Sequence, residues 1–413
     1  MSYRVMSADL ARHTGESIRL CGWVHRRRVL ARVTFLIVRD RAGLAQVVVP
    51  AGVPVPGEES VVEVTGTVVA GAAAPGGYEV AYEAIEVLSE AEPPPVELFR
   101  PAVEAGLPAL LDHAAVALRH PARRAVFAAS AAAVRAFRST LDGLGFTEIH
   151  TPKIVGTATE SGANVFALDY FGRPAYLAQS PQFYKQTMVG VFERVYEVGP
   201  VFRAEPHDTS RHLATYTSLD AELGFVRDHR DVMAVLTRVV RAMAAATAGL
   251  EGPAPVRMPD EVPVVHFAEA LRLVGAPEDE PDLAPEHERA LGAWALAEHG
   301  SDFVYVEGYP MAKRPFYTHP QPSDPRWSNS FDLLFRGLEL VTGGQRRHLY
   351  ADYLAALGPQ AGALAEYLAA FRHGMPPHGG FAIGLERFLA RLTGAANVRE
   401  TTLFPRDRHR LAP

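Results

Sequence analysis

Cysteine and lysine are scarce in this sequence, and the scarcity of cysteine narrows the class of protein. Cys21 is the single cysteine, so an intrachain disulfide is excluded and a reducing compartment is favoured. Apart from Lys153, Lys185 and Lys313, the basic residues are all arginine. No apolar run is long enough to span a membrane, and the first residues contain no apolar signal segment. These absences predict a cytoplasmic protein with no membrane partner.

A strong charge of one sign is also lacking. The net charge is −6 over 413 residues, so any contact with nucleic acid would depend on a local basic patch. With 48% apolar and 21% charged residues, the composition is that of a globular protein. The length allows two or three domains with sizeable cores.

The order of the predicted elements divides the chain into a barrel, a linker and a larger mixed domain. Residues 1–90 form about five short strands separated by Gly/Pro turns, a pattern typical of an OB-fold β-barrel. Residues 91–120 begin with a proline-rich linker and predict a hinge. Residues 121–413 predict an α+β domain in which helices flank an antiparallel sheet. Within it, residues 251–300 are rich in proline and acids and predict a small insertion.

The densest basic patch lies in the predicted barrel, where His25, the run 26–28 and Arg32 stand near Phe35. A basic groove with an aromatic side chain suits single-stranded nucleic acid, whose bases stack on the ring. A solvated basic turn explains the same residues equally well. The patch alone therefore leaves both interpretations open.

The segment 194–225 predicts two strands joined by a polar loop. Along the second strand the residues alternate between two faces, and the two sets are Thr217, Leu219, Ala221, Leu223 and Phe225 against Ser218, Asp220, Glu222 and Gly224. Arg203 and Glu205 share a face at the end of the first strand. A ribbon with one wet, salt-bridged face accounts for this pattern as well as a ligand site does.

Two further segments supply groups that a nucleotide site needs. In FRGLELVTGGQRRHLY, Glu339 and Thr342 offer hard oxygen ligands of the kind that Mg²⁺ accepts when phosphates complete its shell. In GGFAIGLERFLARL, a glycine-rich strand runs into a helix, so Arg387 lies near a helix N-terminus, where phosphate binding is favoured. An acid on an edge strand and a purely structural turn are the alternatives. Together with Tyr216, whose ring suits a stacked base, these residues predict a nucleotide site.

The same segments resemble the three ordered motifs of class II aminoacyl-tRNA synthetases. GFTEIHTPKI resembles motif 1 with its proline, FRAEPHDTSRHLATYTSLDAELGF resembles motif 2, and AIGLERF resembles motif 3. Between and after them, YLAQSPQFYKQ, LELVTGGQR and LFPRDRHRLAP are similar to aspartyl-tRNA synthetases of the archaeal type. The resemblance covers nearly the whole chain, including an N-terminal OB barrel that binds the anticodon in this family.

The resemblance implies an ATP site. Arg203 and Arg387, the implied catalytic pair, would contact the phosphates, and Tyr216 would stack on adenine from the side opposite Arg387. Arg211 and His212 would reach the γ-phosphate. The residues that the resemblance assigns to ATP are Arg203, Ala204, Glu205, Arg211, His212, Leu213, Tyr216, Glu339, Gly384, Leu385, Glu386 and Arg387, and it assigns Mg²⁺ to Glu339 and Thr342.

The resemblance also implies an aspartate site. Its residues are Glu160, Ser180, Gln182, Phe183, Tyr184, Lys185, Arg203, Asp220, Thr342 and Arg346. Arg346 would fork onto the side-chain carboxylate with help from Lys185. Asparagine would leave these buried cations unpaired, and we expect a discrimination of about 10⁴-fold on that ground.

The implied partners are tRNA and a second copy of the chain. Phe35 and Gln46 match positions that read the middle anticodon base. His25 and Pro75 resemble the forms of the enzyme that aspartylate both tRNA(Asp) and tRNA(Asn). Motif 1 residues around Pro152 imply a homodimer.

The motif 2 loop departs from the family pattern at Ala214 and Thr215, where Asn and Glu are usual. This change keeps a second interpretation open, a relative that forms aspartyl-adenylate but passes aspartate to an acceptor other than tRNA. A non-catalytic RNA-binding relative is a third interpretation. Such a protein should have lost Arg203, Glu339 or Arg387, and all three are present.

Overall fold

A computed structural model of the protein describes residues 4–157, 165–206 and 208–412. The chain divides into two units, Met1–Ala122 and Arg123–Pro413. The boundaries expected near residues 90 and 120 stay predictions. No helix in the described residues is both long enough and apolar enough to cross a membrane.

The first unit is built on a closed five-stranded barrel, which confirms the predicted OB-type architecture. Its strands are β1 (Ser17–Val29), β2 (Val33–Arg39), β3 (Leu44–Pro50), β4 (Val61–Ala70) and β5 (Tyr78–Ser89). They pair in the order β1–β2–β3–β5–β4. Because successive side chains point to opposite faces of a strand, every second residue enters the barrel. The interior is apolar and includes Leu20, Leu36, Val47, Val64 and Val80.

A β-bulge in β1 corrects the predicted basic patch. The register of β1 against β2 shifts between Val24 and Arg26, so Val24 and His25 are both buried and Arg26 is exposed. The His25 ring lies 3.1 Å from Arg39 Nη1. Burial, and then the charge of Arg39, lower the pKa of His25 to about 4. His25 is therefore neutral at pH 7, and the prediction that it belongs to an exposed basic patch is wrong.

The rest of the first unit is fastened to the barrel. Short helices α1 (Leu107–Asp112) and α2 (Ala114–Ala117) follow the proline-rich stretch. Arg119 Nη1 donates to Glu59 Oε2 at 3.1 Å, and Arg39 Nη1 donates to Glu59 Oε1 at 2.8 Å. Glu59 thus joins the segment predicted as a hinge to the barrel wall.

The second unit carries the remaining helices and strands. Its helices are α3 (Pro121–Gly143, which begins at the unit boundary), α4 (Gln182–Phe192), α5 (His229–Thr247), α6 (Phe267–Leu273), α7 (Pro285–His299), α8 (Tyr350–Leu357), α9 (Ala365–Ala369) and α10 (Leu385–Thr393). Its strands are β6 (Thr147–Glu148), β7 (Ile154–Val155), β8 (Ala167–Tyr170), β9 (Arg173–Leu177), β10 (Arg194–Phe202), β11 (Thr215–Gly224), β12 (Val264–His266), β13 (Phe303–Glu307), β14 (Ser330–Phe335), β15 (Glu339–Arg346) and β16 (His378–Gly384).

Among the described residues, eight strands form one sheet in the order β12–β13–β14–β15–β16–β11–β10–β6. Its central pairs are antiparallel, as predicted, but β6 pairs with β10, and β12 with β13, in parallel. The sheet is therefore mixed at its two ends. Since β12 lies within residues 251–300, part of the predicted insertion forms an edge of the main sheet. Strands β7, β9 and β8 form a separate small sheet.

Two local predictions need correction. The proline-containing segment predicted as one strand holds the two short strands β6 and β7, which belong to different sheets. Strand β11 ends at Gly224, and Phe225 adopts a positive φ of 59° and is 71% exposed. Phe225 therefore does not share the apolar face, because the chain turns before it.

The hydrophobic core covers one face of the large sheet. Helices α3, α5 and α10 pack there, and the cluster includes Phe137, Leu219, Ala221, Leu223, Leu236, Val240, Phe381, Ile383 and Phe388. The helical members recur at spacings of three and four residues, as one face of a helix requires. Because Leu219 and Ala221 point into this core, Ser218, Asp220 and Glu222 point to the opposite face.

Candidate active site

Polar side chains from four central strands line up on the face of the sheet opposite the core. Strand register puts the polar residues Asp332, Thr342 and Asp220 in one row across β14, β15 and β11, with the small Ala382 of β16 between Thr342 and Asp220. In the next row, Gly380 pairs with Glu222. A Cβ at position 380 would collide with the Glu222 carboxylate. The glycine-rich strand is thus needed to make room for buried charge.

Four charged side chains form a buried cluster on this face. Lys185 of α4 is 1% exposed and donates to Asp220 Oδ1 at 2.9 Å, and its Nζ lies 3.4 Å from Glu222 Oε2. Arg346 Nε donates to Glu222 Oε1 at 3.0 Å. Burial acts to raise the pKa of Glu222, but the charges of Arg346 and then Lys185 hold it below its ordinary value. The cluster is balanced in charge, which a buried set of ions requires.

This pairing corrects the expected reason why the site would prefer aspartate to asparagine. Lys185 and Arg346 already have carboxylate partners, so a neutral amide would not leave them unpaired. The preference instead depends on how much more strongly the cations bind a charged hydrogen-bond acceptor than a neutral one. This difference in binding free energy corresponds to a discrimination between aspartate and asparagine of about 10²-fold, below the 10⁴-fold expected from unpaired cations.

A polar network behind the cluster was missed in the sequence. Gln186 Nε2 donates to Tyr353 Oη at 3.1 Å and lies 3.0 Å from His378 Nε2. Tyr367 Oη donates to Gln186 Oε1 at 3.1 Å. Burial lowers the pKa of His378 to about 4, so its ring is neutral at pH 7. Since Gln186 follows Lys185 directly, this network holds α4 and with it the lysine.

The other predicted aspartate residues fall into different surroundings. Gln182 is buried on the same face of α4 as Lys185, and its backbone N donates to Ser180 Oγ at 3.1 Å. The Phe183 ring stacks on Tyr367 with centroids 4.3 Å apart, within an apolar cluster. Tyr184 is half-buried, and burial together with the charge of Glu366 raises the pKa of its hydroxyl. Glu160 lies outside the described residues.

A cavity opens on the same face, between the hairpin β10–β11, strands β15 and β16 and the start of α10. It is lined by Arg203, Glu205, Arg211, His212, Leu213, Tyr216, Ser218, Glu339, Leu340, Thr342, Ala382, Ile383, Gly384, Glu386, Arg387 and Val398. Of the predicted ATP residues, Ala204 and Leu385 do not line it. The Leu385 side chain packs into the core instead, so only its backbone is available to a ligand.

The arginine and the aromatic ring of the hairpin meet at this cavity. The Arg203 guanidinium lies 5.6 Å from the centroid of the Tyr216 ring, and its Nη1 lies 3.7 Å from Glu205 Oε1. The substituted position in the loop is held through its backbone: Arg203 N donates to Ala214 O at 2.9 Å, and Ala214 N donates to Arg406 O at 2.7 Å. These bonds do not depend on the side chain at position 214.

A second β-bulge brings the two predicted metal ligands to one face. Leu333 pairs with Val341 and Leu334 with Glu339, so Leu340 is an extra residue in β15. Without it, Glu339 and Thr342, three residues apart, would point to opposite faces. With it, Thr342 Oγ1 donates to Glu339 Oε1 at 3.2 Å.

These residues and Asp332, which was missed in the sequence, fit a magnesium ion. Asp332 Oδ2 pairs with Arg314 Nη2 at 3.2 Å, and the Tyr309 hydroxyl interacts with the same carboxylate, whereas Oδ1 is buried without a hydrogen bond of normal geometry among the described residues. Burial raises the pKa of Asp332 to about 6 against the opposing charge of Arg314, and the charge of Glu339 adds to the rise. A divalent cation would satisfy the orphaned oxygen and offset the repulsion. No group of three or more His, Cys, Asp or Glu side chains forms a metal site in the described residues, so phosphates would complete the shell.

The start of α10 sets Arg387 against the strand that carries Glu339. Arg387 Nη1 donates to Glu339 O at 3.1 Å and lies 3.4 Å from Glu339 Oε1. The neighbouring Glu386 is buried, and its two carboxylate oxygens accept from Thr217 N at 3.0 and 3.1 Å. Burial raises the pKa of Glu386 to about 7.

The raised pKa makes the stability cost of Glu386 depend on pH. The pKa of Glu386 is about 7 in the folded protein, against the ordinary 4.5 expected in the unfolded chain. The free energy of unfolding therefore decreases as the pH rises through this interval. We expect Glu386→Gln, which keeps an acceptor for Thr217 N, to gain about 2–3 kcal/mol relative to the wild type between pH 5 and pH 8. Urea unfolding of both proteins at the two pH values measures this. A difference in unfolding free energy that does not change with pH would refute the argument.

The barrel carries a second candidate site, described by itself. A groove there is lined by Arg26, Arg28, Phe35, Ile37, Gln46, Gly71, Ala72, Ala73 and Glu79. Gln46 Nε2 donates to Glu79 Oε2 at 2.8 Å. Phe35 and Gln46 thus share one groove with two arginines, while His25 is buried and Pro75 lies in another shallow depression, beside Gly76 and Tyr78.

Comparisons with known proteins agree with this architecture. Residues 108–408 match tRNA synthetases class II (D, K and N), and residues 18–88 match the OB-fold nucleic acid binding domain. The chain is 48% identical to the aspartate–tRNA(Asp/Asn) ligase of Thermus thermophilus, over 99% of this chain and 100% of that one. It is 47% identical to the aspartate–tRNA(Asp/Asn) ligase of Deinococcus radiodurans, over 99% of each chain. Among solved structures, asparaginyl-tRNA synthetase from Pyrococcus horikoshii complexed with asparaginyl-adenylate matches with a TM-score of 0.92 at 30% identity, over 100% of both chains.

A sheet that carries buried charges and an arginine-lined cavity on one face, following an OB barrel in the chain, has the architecture of a class II aminoacyl-tRNA synthetase. The chain belongs to the class II tRNA synthetases for D, K and N, which confirms the resemblance found in its motifs.

Proposed function

We propose that this chain activates L-aspartate with ATP and transfers it to tRNA(Asp), and also to tRNA(Asn). The proposal is supported by the charged side chains on one face of the large sheet. There, Lys185 and Arg346 are buried beside a cavity to which Arg203 and Arg387 contribute. The cations suit an acidic side chain, and the arginines suit a polyphosphate. The names of the relatives from Thermus and Deinococcus support the same substrates.

The first step needs positioning more than proton transfer. An α-carboxylate oxygen of aspartate attacks the α-phosphorus of ATP, the bond from that phosphorus to the bridging oxygen of pyrophosphate breaks, and pyrophosphate leaves. The attacking carboxylate is already ionised, so no general base is required. Arg203 and Arg387 stabilise the negative charge that develops at phosphorus, while the buried cluster around Arg346 orients aspartate.

Magnesium has a proposed place in this site. Asp332, Glu339 and Thr342 would hold the ion, and it would neutralise charge on the phosphates when bound. Arg387, which contacts the Glu339 backbone, keeps that glutamate beside the phosphate end of the cavity.

Amino-acid-dependent exchange of pyrophosphate into ATP tests the activation step. Aspartate should support exchange, and asparagine should support it about 10²-fold less well. Lysine, the third amino acid of the family, should support none, because it would bring a further cation to Lys185 and Arg346. Exchange that prefers asparagine would refute the substrate assignment.

We propose that the barrel groove binds the anticodon through stacking on Phe35. Replacing Phe35 by Ala should lower kcat/KM for tRNA charging by about tenfold or more, since base stacking on an aromatic ring contributes roughly 1–3 kcal/mol. Aspartate-dependent pyrophosphate exchange, which needs no tRNA, serves as the internal control and should not change. Equal charging by variant and wild type would remove Phe35 from the tRNA site.

Acceptance of tRNA(Asn) is proposed from His25 and Pro75 and from the Asp/Asn names of relatives at 37–48% identity. Because His25 is buried against Arg39, we infer that it acts on the groove indirectly, through the position of β1. Pro75 begins a three-residue turn in which Gly76 takes a φ of 69°.

A homodimer and a cytoplasmic location stay proposals. Exposed apolar residues on the small sheet β7–β9–β8 and beside it, Ile154, Phe166, Tyr170 and Phe171, support a buried contact with a second copy. Sedimentation should then give twice the 44.8 kDa mass of the chain.

A further inference from the structure

Glu288 is a buried carboxylate next to the cavity that the steps above leave without a role. It lies on α7 and is 4% exposed. Its Oε2 accepts from Glu339 N at 2.9 Å and from Arg211 Nη1 at 3.3 Å. One oxygen atom therefore joins a helix from the segment 251–300 to both the proposed metal strand and the motif 2 arginine.

The distance between α7 and the sheet is fixed by backbone contact. A Cβ on Gly292 would lie 2.7 Å from the Cα of Gly337, so the helix touches the β14–β15 turn directly. Gly337 has a φ of 69°, and two residues later the chain reaches Glu339. Leu291 and Ala295 anchor the same helix in an apolar cluster. The position of the Glu288 carboxylate relative to the start of β15 is thus fixed.

Three charged side chains of the cavity wall surround the Glu288 carboxylate. Arg211, Glu339 and Arg387 act on it electrostatically, and Arg211 and Glu339 also bond to it. Arg211 is also anchored through its backbone N, which donates to Thr209 Oγ1 at 3.2 Å. A long arginine side chain retains much rotamer freedom, and a buried carboxylate partner removes part of it.

We infer that Glu288 is a positioning residue for ATP, which holds the Arg211 guanidinium on the cavity wall and fixes the backbone at Glu339. The inference rests on the proposed function of the cavity as an ATP site. It gives the segment 251–300 a role, because α7 supports the wall residues Arg211 and Glu339 from behind, at the end of the cavity where the γ-phosphate is expected. Glu288 acts indirectly, through the Arg211 guanidinium and the backbone of Glu339, and the contact with Arg211 is the one that needs its charge.

The test is the dissociation constant of ATP, measured by calorimetry with Mg²⁺ and without aspartate. Glu288→Gln keeps an acceptor for Glu339 N but loses the charge that holds Arg211, so the dissociation constant should rise about tenfold. The KM for aspartate in pyrophosphate exchange should stay within about twofold. Glu298→Gln, an exposed position on the same helix, is the matched control and should bind ATP like the wild type.

A double variant separates positioning from a general structural role. In an Arg211→Ala background, Glu288→Gln should weaken ATP binding no further, because the two residues act as one unit. An unchanged dissociation constant in E288Q, or an equal additional loss in the Arg211→Ala background, would overturn the inference. If E288Q does not fold, Glu288→Asp is measured in the same way, with the same two outcomes. ATP binding is measured without aspartate, so this test does not depend on aspartate activation. If the wild type binds ATP but activates no aspartate, the proposed function is refuted, while the binding data still show whether Glu288 positions Arg211.

Discussion

Replacing Arg346 by Ala is expected to abolish aspartate-dependent pyrophosphate exchange, with a loss of about 10³-fold or more. Arg346 is 6% exposed, and its Nη2 donates to Gly380 O at 3.1 Å while its Nε bonds to Glu222. Its truncation removes the guanidinium proposed to face the aspartate carboxylate. It also removes one of the two cations that pair with the buried carboxylates Asp220 and Glu222. Exchange rates at saturating ATP, over a range of aspartate concentrations, measure the loss.

A second variant separates lost recognition from lost stability. Arg346→Ala combined with Glu222→Ala removes one charge of each sign and leaves Lys185 paired with Asp220. Its melting temperature should recover towards that of the wild type, whereas exchange should not recover. An R346A enzyme within a few-fold of wild-type exchange would show that Arg346 does not bind the substrate.

Replacing Arg203 by Ala should slow aspartyl-adenylate formation by about 10²–10³-fold, the usual effect of removing one preorganised donor to a developing oxyanion. The Arg203 side chain is 38% exposed and lies over Tyr216 at the cavity, so its removal should cost little stability. Because its contact is proposed to strengthen in the transition state, kcat should fall more than either KM rises. Single-turnover formation of the adenylate measures this directly.

An arginine outside the site provides the control for Arg203. Arg227 is 88% exposed and pairs with Asp231 four residues along the chain. Arg227→Ala should leave adenylate formation unchanged. If R203A changed KM alone, or if R227A were equally impaired, electrostatic stabilisation by Arg203 would have to be abandoned.

Period-two alternation predicted much of the site, since it depends on local geometry alone. The sequence indicates that Asp220 and Glu222 share one face of their strand, and β11 turns that face away from the core. Glu222 was not predicted as a site residue, although the same alternation places it on the face of Asp220 and could have identified it. Asp332 had a similar signal, an acid within the apolar run SFDLLF.

The features that were not predicted arise from tertiary structure. The bulges at His25 and Leu340 each insert one residue into a strand, and nothing in the local pattern marks where the partner strand slips. The pairing of Lys185 and Arg346 with Asp220 and Glu222 joins segments far apart in sequence. Charge pairing at such separations follows from the register of the sheet and from the packing of α4 against it, which a single sequence does not reveal.

Charging of purified tRNA(Asp) and tRNA(Asn) with radiolabelled aspartate, side by side, tests the central claim most directly. The proposed function predicts that both accept aspartate, tRNA(Asp) through the anticodon groove and tRNA(Asn) through the relaxed discrimination associated with His25 and Pro75. Charging of tRNA(Asp) alone would show that His25 and Pro75 do not indicate acceptance of tRNA(Asn), and it would leave the proposed activation of aspartate and its transfer to tRNA(Asp) in place. If neither tRNA accepts aspartate although aspartate-dependent exchange proceeds, the acceptor is not tRNA, and the change at Ala214 and Thr215 becomes the first place to look.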